Sequence, residues 1–208
     1  GYDEATAIIH RSLDHHDAQA VQFDPHVQTN ATLINDSWCD CFKRNQIVVG
    51  ISVDGPEDIH DAHRRFRNGR GSHALAMTGI EALHRNDVSF HCISVVTADA
   101  MDQPERMYRF FRDNGIQHVG FNVEEQEGIN TSSSMQDKAM EERYREFLKA
   151  FWQLSEQDGY PVILREFEQV ISLIKNNERM AQHELNRPFS ILSVDAEGNF
   201  STFDPELL

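Results

Sequence analysis

The sequence predicts an α/β protein built on a parallel sheet, and three observations carry that prediction. Ile47-Val48-Val49-Gly50-Ile51-Ser52-Val53 is β-branched and almost wholly apolar, as suits a strand buried on both faces. Further strands are read at Val21 to Thr29, Val88 to Thr97 and His118 to Val123. Between them lie segments with apolar residues at helical spacing, and strands alternating with helices form parallel sheets.

Each element has a local reason. Gly1 to His16 carries Ala7, Ile8 and Leu13 among polar neighbours, a weak helical pattern. The first strand, Val21 to Thr29, closes in Gln28-Thr29-Asn30, and Asn35-Asp36-Ser37 supplies an N-cap for a helix reaching about Asn45, with Trp38, Cys41 and Phe42 on its apolar face. Asp54-Gly55-Pro56 ends the second strand. Ser72 caps a helix with Leu75, Met77, Ile80 and Leu83 inward, and Val88 to Thr97 follows as the third strand. Pro104 opens a helix that packs Met107, Phe110 and Phe111 and stops at Asn114-Gly115. After the strand His118 to Val123, a polar loop from Glu124 to Ser134 leads to a long amphipathic helix, Met135 to Gln157, with Tyr144, Phe147, Leu148 and Phe151 on one stripe. A further helix spans Leu164 to Asn176, and Phe189 to Phe203 alternates around Glu197-Gly198-Asn199 as a hairpin does. A complete eight-unit barrel takes about 250 residues, so four strand–helix units imply an open sheet or a partial barrel.

Composition removes several function classes. The 208 residues carry a net charge of −15, a field that repels phosphate backbones and anionic membranes, so no nucleic acid and no membrane is expected as partner. No apolar run approaches the ~20 residues of a membrane span, and the chain opens without the pattern of a signal peptide. Three cysteines, Cys39, Cys41 and Cys92, are too few for a disulfide framework and fit a reducing, cytoplasmic setting. One residue separates Cys39 from Cys41, which is not the spacing of a zinc knuckle, and no metal ligands are assigned. An opening without Met and an ending in mid-motif read as a fragment.

In parallel α/β folds ligands gather at the carboxyl ends of the strands. Those ends here carry Gln28, Thr29 and Asn30, then Ser52 and Asp54, then Ser94 and Thr97, then Asn122, Glu124 and Glu125. Such amide, hydroxyl and carboxylate groups suit a polyhydroxy or amino-acid-like ligand.

The run Ser52-Val53-Asp54-Gly55-Pro56-Glu57-Asp58-Ile59-His60-Asp61-Ala62-His63-Arg64, preceded by Gln28-Thr29-Asn30-Ala31-Thr32-Leu33, is more specific. It resembles the radical S-adenosylmethionine (radical SAM) enzymes with a SPASM-type extension, in particular the anaerobic sulfatase maturases and peptide-modifying maturases. Ala31 stands where the family usually has Gly, a departure expected to cost only backbone freedom. The similarity runs on through Gly69-Arg70-Gly71, Leu83 and Val95-Val96-Thr97, covering about Val21 to Val123 well and the remainder loosely. It implies a partial (β/α)6 barrel lacking its first strands, followed by helices and a C-terminal β-hairpin. Residues 1–160 would form the barrel part, and 161–208 a linker helix with the start of a SPASM-like region.

Carried over, the resemblance implies that Ser52 and Asp54 lie beside the ribose and methionyl part of S-adenosylmethionine. Asn30 would stand on the adjacent strand end, and Arg64 would pair with a carboxylate. Arg165-Glu166-Phe167-Glu168 is similar to the segment where sulfatase maturases place a proton-accepting carboxylate, which makes Glu168 the catalytic candidate. The tail ending Thr202-Phe203-Asp204-Pro205-Glu206-Leu207-Leu208 resembles cyclophane-forming maturases of ribosomally made peptides, whose partner is a precursor peptide. The family's [4Fe–4S] cluster is held by Cys-x3-Cys-x2-Cys, which is not in this sequence and is expected upstream of Gly1. Two alternatives stand beside this reading: a catalytically silent peptide-binding module, and a metal-dependent hydrolase drawing on Asp54, His60 and His91.

Overall fold

A computed structural model describes residues 24–124, 138–177, 192–195 and 197–201, together with Glu4 and Ala7. Most of the expected N-terminal helix, the start of the first strand, most of the loop after Glu124 and the outer parts of the tail hairpin lie outside the described residues. The elements are β1 (His26–Thr29), α1 (Asp36–Arg44), β2 (Val48–Ser52), α2 (Glu57–His63), α3 (His73–Arg85), β3 (Phe90–Val96) and α4 (Ala98–Met101). They continue as α5 (Pro104–Asp113), β4 (His118–Val123), α6 (Lys138–Gln157), β5 (Ile163–Leu164) and α7 (Arg165–Lys175), then the antiparallel pair β6 (Ser193–Val194) and β7 (Phe200–Ser201).

The five strands of the main sheet lie in the order β1-β2-β3-β4-β5, all parallel. Strand order equal to chain order means single winding, because every crossover steps in the same direction and returns on the same face. A doubly wound sheet would reverse direction at a switch point. The arrangement is therefore the wall of a partial barrel, with one strand more than the sequence reading counted. That extra strand, β5, is two residues long and too short to leave a pattern.

Single winding makes the two faces of the sheet unlike. Val49, Ile51, Val53, Cys92, Val96, Val119, Phe121 and Leu164 are buried in one core with Ile80, Leu83, Met107, Phe111, Phe147 and Phe151 from the helices. Phe121 anchors an aromatic cluster there, 5.1 Å from the Phe147 ring and 5.2 Å from that of Phe151, both edge-on. The opposite face carries the alternate residues, and on it Gln28 and Asn122 are exposed while Ser52, His91 and Val95 are half-buried.

Three helix-to-strand joints repeat one device. Asn45-Gln46-Ile47, Asn86-Asp87-Val88 and Asn114-Gly115-Ile116 each follow a helix. In each, the Asn amide donates back to the carbonyl four residues earlier: Cys41, Ala82 and Phe110. The middle residue turns left-handed, at φ 52° for Gln46, 50° for Asp87 and 65° for Gly115. The third residue's N–H then reaches Phe42, Leu83 or Phe111, completing a Schellman closure that drops a buried apolar side chain at the foot of the next strand. Only Asn114-Gly115 was legible beforehand, because a glycine marks the left-handed position there.

Some expectations change. Ser72 precedes α3 but its side chain does not cap it; Asp61 Oδ1 accepts from the N–H groups of Ser72 and His73 instead, at 2.9 Å each. Leu75 is 47% exposed and so does not face inward. Two short helices, α2 and α4, stand beside those that the sequence pattern predicts. Ala31 is buried at φ 62°, so the residue in the family's glycine position carries left-handed strain and not merely reduced freedom.

The Ala31 carbonyl also sets a packing limit on α3. A Cβ at Gly79 would stand 2.1 Å from the Ala31 oxygen, a backbone atom that cannot swing away. Gly79→Ala is expected to cost about 1–3 kcal/mol, read from the urea midpoint. Gln46→Gly, which removes left-handed strain at an exposed joint, is expected to stabilise by about 1 kcal/mol on the same measurement.

Candidate functional site

The carboxyl end of β2 is organised around Asp54, which is 5% exposed. The Arg64 guanidinium grips its carboxylate with two donors, Nε to Oδ2 at 2.5 Å and Nη2 to Oδ1 at 3.1 Å. Oδ1 also accepts the N–H of Val95 at 2.9 Å, so the side chain continues the β2–β3 ladder beyond Ser52. The Asp54 N–H donates to His60 Nδ1 at 3.2 Å, which puts the ring proton on Nε2 and directs it to Ser72 Oγ at 2.9 Å. Ser72 Oγ in turn donates to the Arg64 carbonyl. Two strand ends, α2 and the start of α3 are thus joined through one carboxylate and one neutral imidazole. Burial is the main reason that the His60 pKa falls to about 4; the His73 ring, 5.5 Å away, and Arg64 add to it, while Asp54 and Asp61 oppose it.

On the bare face Gln28 Nε2 donates to Ser52 Oγ at 3.0 Å. Gly50 makes this crossing possible, since a Cβ there would stand 2.0 Å from Gln28 Oε1 and 2.8 Å from His91 Nε2. Gly120 plays the same part for Arg165, whose Nη2 donates to Asn122 Oδ1 at 3.0 Å and Glu166 Oε1 at 2.8 Å. Glu166 Oε1 also accepts the Phe121 N–H at 3.0 Å, again a carboxylate extending a strand ladder. Burial lowers the His91 pKa first, and Coulombic repulsion involving His26, Arg165 and His118 lowers it further.

The sequence candidates fall in distinct places. Ser52 stands on the bare face, and Asp54 and Arg64 are bonded to each other beside it. The Asn30 Oδ1 closes a local turn by accepting from the Thr32 N–H and hydroxyl. Glu168 is exposed on α7 and lines an open cavity of about 640 Å³ with Trp152, Tyr160, Ile163 and Ile171. Ser94 does not reach the rim; it is fully buried on the helix face. Glu125 lies outside the described residues. Asp54, His60 and His91 do not converge, and the described residues hold no group of three or more His, Cys, Asp or Glu side chains arranged for a metal ion. Arg165 and Gly120 escaped sequence reading, although a glycine inside a strand is itself a sign of close approach.

The described residues do not fit an iron–sulfur cluster. Cys39 and Cys92 are buried and directed at the carbonyls of Ala82 and Val53, and burial raises both thiols, Cys92 to about 12. Cys41 is buried as well, on the same helix as Cys39. Among the described residues no helix is long and apolar enough to cross a membrane.

No family model matches the chain. It is 46% identical over 207 residues to an uncharacterized protein of Synechocystis, covering all of this chain and 52% of that one. It is 32% identical over 155 residues to the cysteine-type anaerobic sulfatase-maturating enzyme of Clostridium novyi, covering 73% of this chain and 41% of the enzyme. The chain thus spans about half the length of these curated relatives or less. The fold matches a solved structure of native anSMEcpe with bound AdoMet and Cp18Cys peptide at a TM-score of 0.71 and 23% identity, over 88% of this chain and 51% of the other.

Stability should fall on the acid side because His60 is held neutral. Its folded pKa lies below the unfolded value of about 6.5, so its contribution is intact above pH 6.5 and is lost as pH drops toward 4. The loss is expected to reach about 3 kcal/mol below pH 4, and His60→Gln should flatten that part of a stability–pH curve. Asp54→Asn leaves Arg64 without its counter-ion and is expected to cost about 3 kcal/mol, measured by chemical denaturation at pH 7.5.

Proposed function

We infer that this chain, a relative of the radical SAM anaerobic sulfatase maturases, forms the substrate-facing wall of an enzyme that modifies a side chain in a peptide or protein. One observation carries the reading: the sheet face that the helices leave bare carries Gln28, Ser52, His91, Asn122 and Arg165, in a wall similar in sequence and fold to the maturases. The Ser52 hydroxyl, at the strand end that also carries Asp54, would bond the ribose and methionyl part of S-adenosylmethionine, with Asn30 on the adjacent strand end. When bound, that cosubstrate supplies the chemistry that removes a hydrogen atom from an unreactive C–H bond. Asp54 and Arg64 act one step back, holding the β2 and β3 ends together so that Ser52 keeps its place. A [4Fe–4S] cluster finds no ligands among the described residues and would depend on others in a protein of the relatives' length.

Glu168 is the proposed proton acceptor. Its carboxylate is exposed and no described residue bonds to it, unlike that of Glu166, whose Oε1 accepts from Arg165 and from the Phe121 N–H. The finer reading, closure of a cyclophane in a ribosomally made precursor peptide, rests on the resemblance of the tail. The division into a barrel part, 1–160, and a linker with the start of a SPASM-like region, 161–208, belongs to the same reading, as does a reducing, cytoplasmic setting for the three cysteines, none of which is in a disulfide.

The full-length protein, reconstituted anaerobically with iron and sulfide, is expected to release 5′-deoxyadenosine from S-adenosylmethionine on reduction. Ser52→Ala should weaken cosubstrate binding about tenfold, the value of one hydrogen bond. Glu168→Gln should leave 5′-deoxyadenosine release intact while stopping peptide modification. No 5′-deoxyadenosine under any reductant would sink the assignment.

A further inference from the structure

We propose that the arginine-rich hairpin from Arg65 to Gly71, at the rim beside Asp54, is a docking surface for an acidic stretch of a peptide or protein. The segment reads Arg65-Phe66-Arg67-Asn68-Gly69-Arg70-Gly71, three arginines and no acid, in a chain with 34 acidic residues against 19 Lys and Arg. Arg65, Arg67 and Arg70 are exposed, while Phe66 is half-buried. Arginines elsewhere find acids: Arg85 on Asp36, Arg106 on Asp58, Arg112 on Asp158 and Arg143 on Asp102. Among the described residues no acid pairs with the three of the hairpin, and Arg65 Nη1 donates to the Gly69 carbonyl at 3.3 Å.

The hairpin is a built support for these charges. Phe66 N–H donates to the Arg70 carbonyl at 2.9 Å, and Gly69 N–H to the Phe66 carbonyl at 2.8 Å. Gly69 takes the left-handed φ of 80° that the turn requires, and Asn68 Oδ1 accepts the Arg70 N–H at 3.0 Å. At the base Arg65 and Gly71 form an antiparallel bridge, and a Cβ at Gly71 would overlap Asp61 Oδ2. Asp61 Oδ1 is given to the N–H groups of Ser72 and His73. The flanking residues, Arg64 and Ser72, belong to the network of Asp54 and His60, so the hairpin hangs from the carboxyl end of β2, where the candidate site lies. Charges on a preformed turn lose less freedom when a partner binds.

The chemistry of the partner follows from the charges. Guanidinium forks pair with carboxylates, and clusters of them read acidic motifs. An exposed turn encloses no small ion, so its complement is a ligand that brings several carboxylates to it. Charges are screened beyond about 8 Å at physiological ionic strength, so a short acidic segment feels the hairpin more than the distant acids. A long nucleic acid or a second copy of this chain meets the field of a net charge of −15. The peptide substrate of the function proposed above is the natural source of the segment, and only that identification rests on the proposed function.

Fluorescence anisotropy with the full-length protein tests this, using rhodamine-labelled hexaglutamate, hexaglutamine and an oligothymidylate with six phosphates. Wild-type protein is expected to bind hexaglutamate, less tightly as salt rises, and hexaglutamine at least tenfold more weakly. Arg67→Glu combined with Arg70→Glu should weaken hexaglutamate at least tenfold; Arg65 stays in place because it closes the turn. Lys43→Glu combined with Lys149→Glu makes the same change of net charge at two exposed positions elsewhere, and should alter the affinity less than about twofold. Far-ultraviolet circular dichroism checks that each variant is folded. No binding of hexaglutamate by the wild type, a loss below about twofold in the folded hairpin variant, or an equal loss in the Lys43 and Lys149 variant would overturn the proposal. So would oligothymidylate bound as tightly as hexaglutamate, or self-association in sedimentation velocity that the hairpin variant abolishes. Absence of 5′-deoxyadenosine release with hexaglutamate binding intact would refute the maturase reading alone.

Discussion

The carboxylate of Asp54 is where the architecture and the candidate site meet. Past Ser52 the β2 backbone leaves the sheet, and an unpartnered Val95 N–H at that depth would cost about 1–3 kcal/mol. Asp54 Oδ1 takes that proton, and Arg64 neutralises the charge that comes with it. Because Arg64 ends α2, the same pair fixes how that helix returns to the sheet. His60 and Ser72 then carry the constraint to α3 through the Asp54 N–H. The Asp-Gly-Pro turn therefore does more than end a strand: it holds two strand ends in register at the rim where a ligand would sit.

Glu166 repeats the device one sheet edge away, with its carboxylate on the Phe121 N–H and an arginine beside it. In both places a carboxylate stands in for a missing strand carbonyl. The two differ in how the arginine is shared. Arg64 gives Nε and Nη2 to the one carboxylate of Asp54, whereas Arg165 divides Nη2 between Asn122 and Glu166. The Asp54 pair is the more buried, and the Glu166 pair lies on the face that single winding leaves without helices.

Much of this was readable from the chain. The apolar run at Val48–Ser52, the Asn35 cap, Pro104 in the first turn and the stripe from Tyr144 to Phe151 are local patterns, and local patterns survive without knowledge of neighbours. Elements that failed to show were those whose cause is distant. β5 exists because β4 offers it an edge, not because Ile163-Leu164 prefers extension. Ser94 looked like a rim residue because it belongs to a strand end, yet alternation turns it into the helix layer. Leu75 matched helical spacing but sits at the exposed opening turn of α3.

The sequence by itself determined the α/β class, the order of its main elements and the kinship with radical SAM maturases, because periodicity, caps and motif residues act within a few positions of each other. Only the tertiary structure decided which face of the sheet stays bare, that Arg64 is paired with Asp54, and that Arg165 lies across Gly120 on Asn122 and Glu166. Those facts depend on strand order and on contacts between residues ten to forty-five positions apart. Hydrogen bonds and close approach at that range are set by how the sheet is wound, and no local pattern encodes the winding.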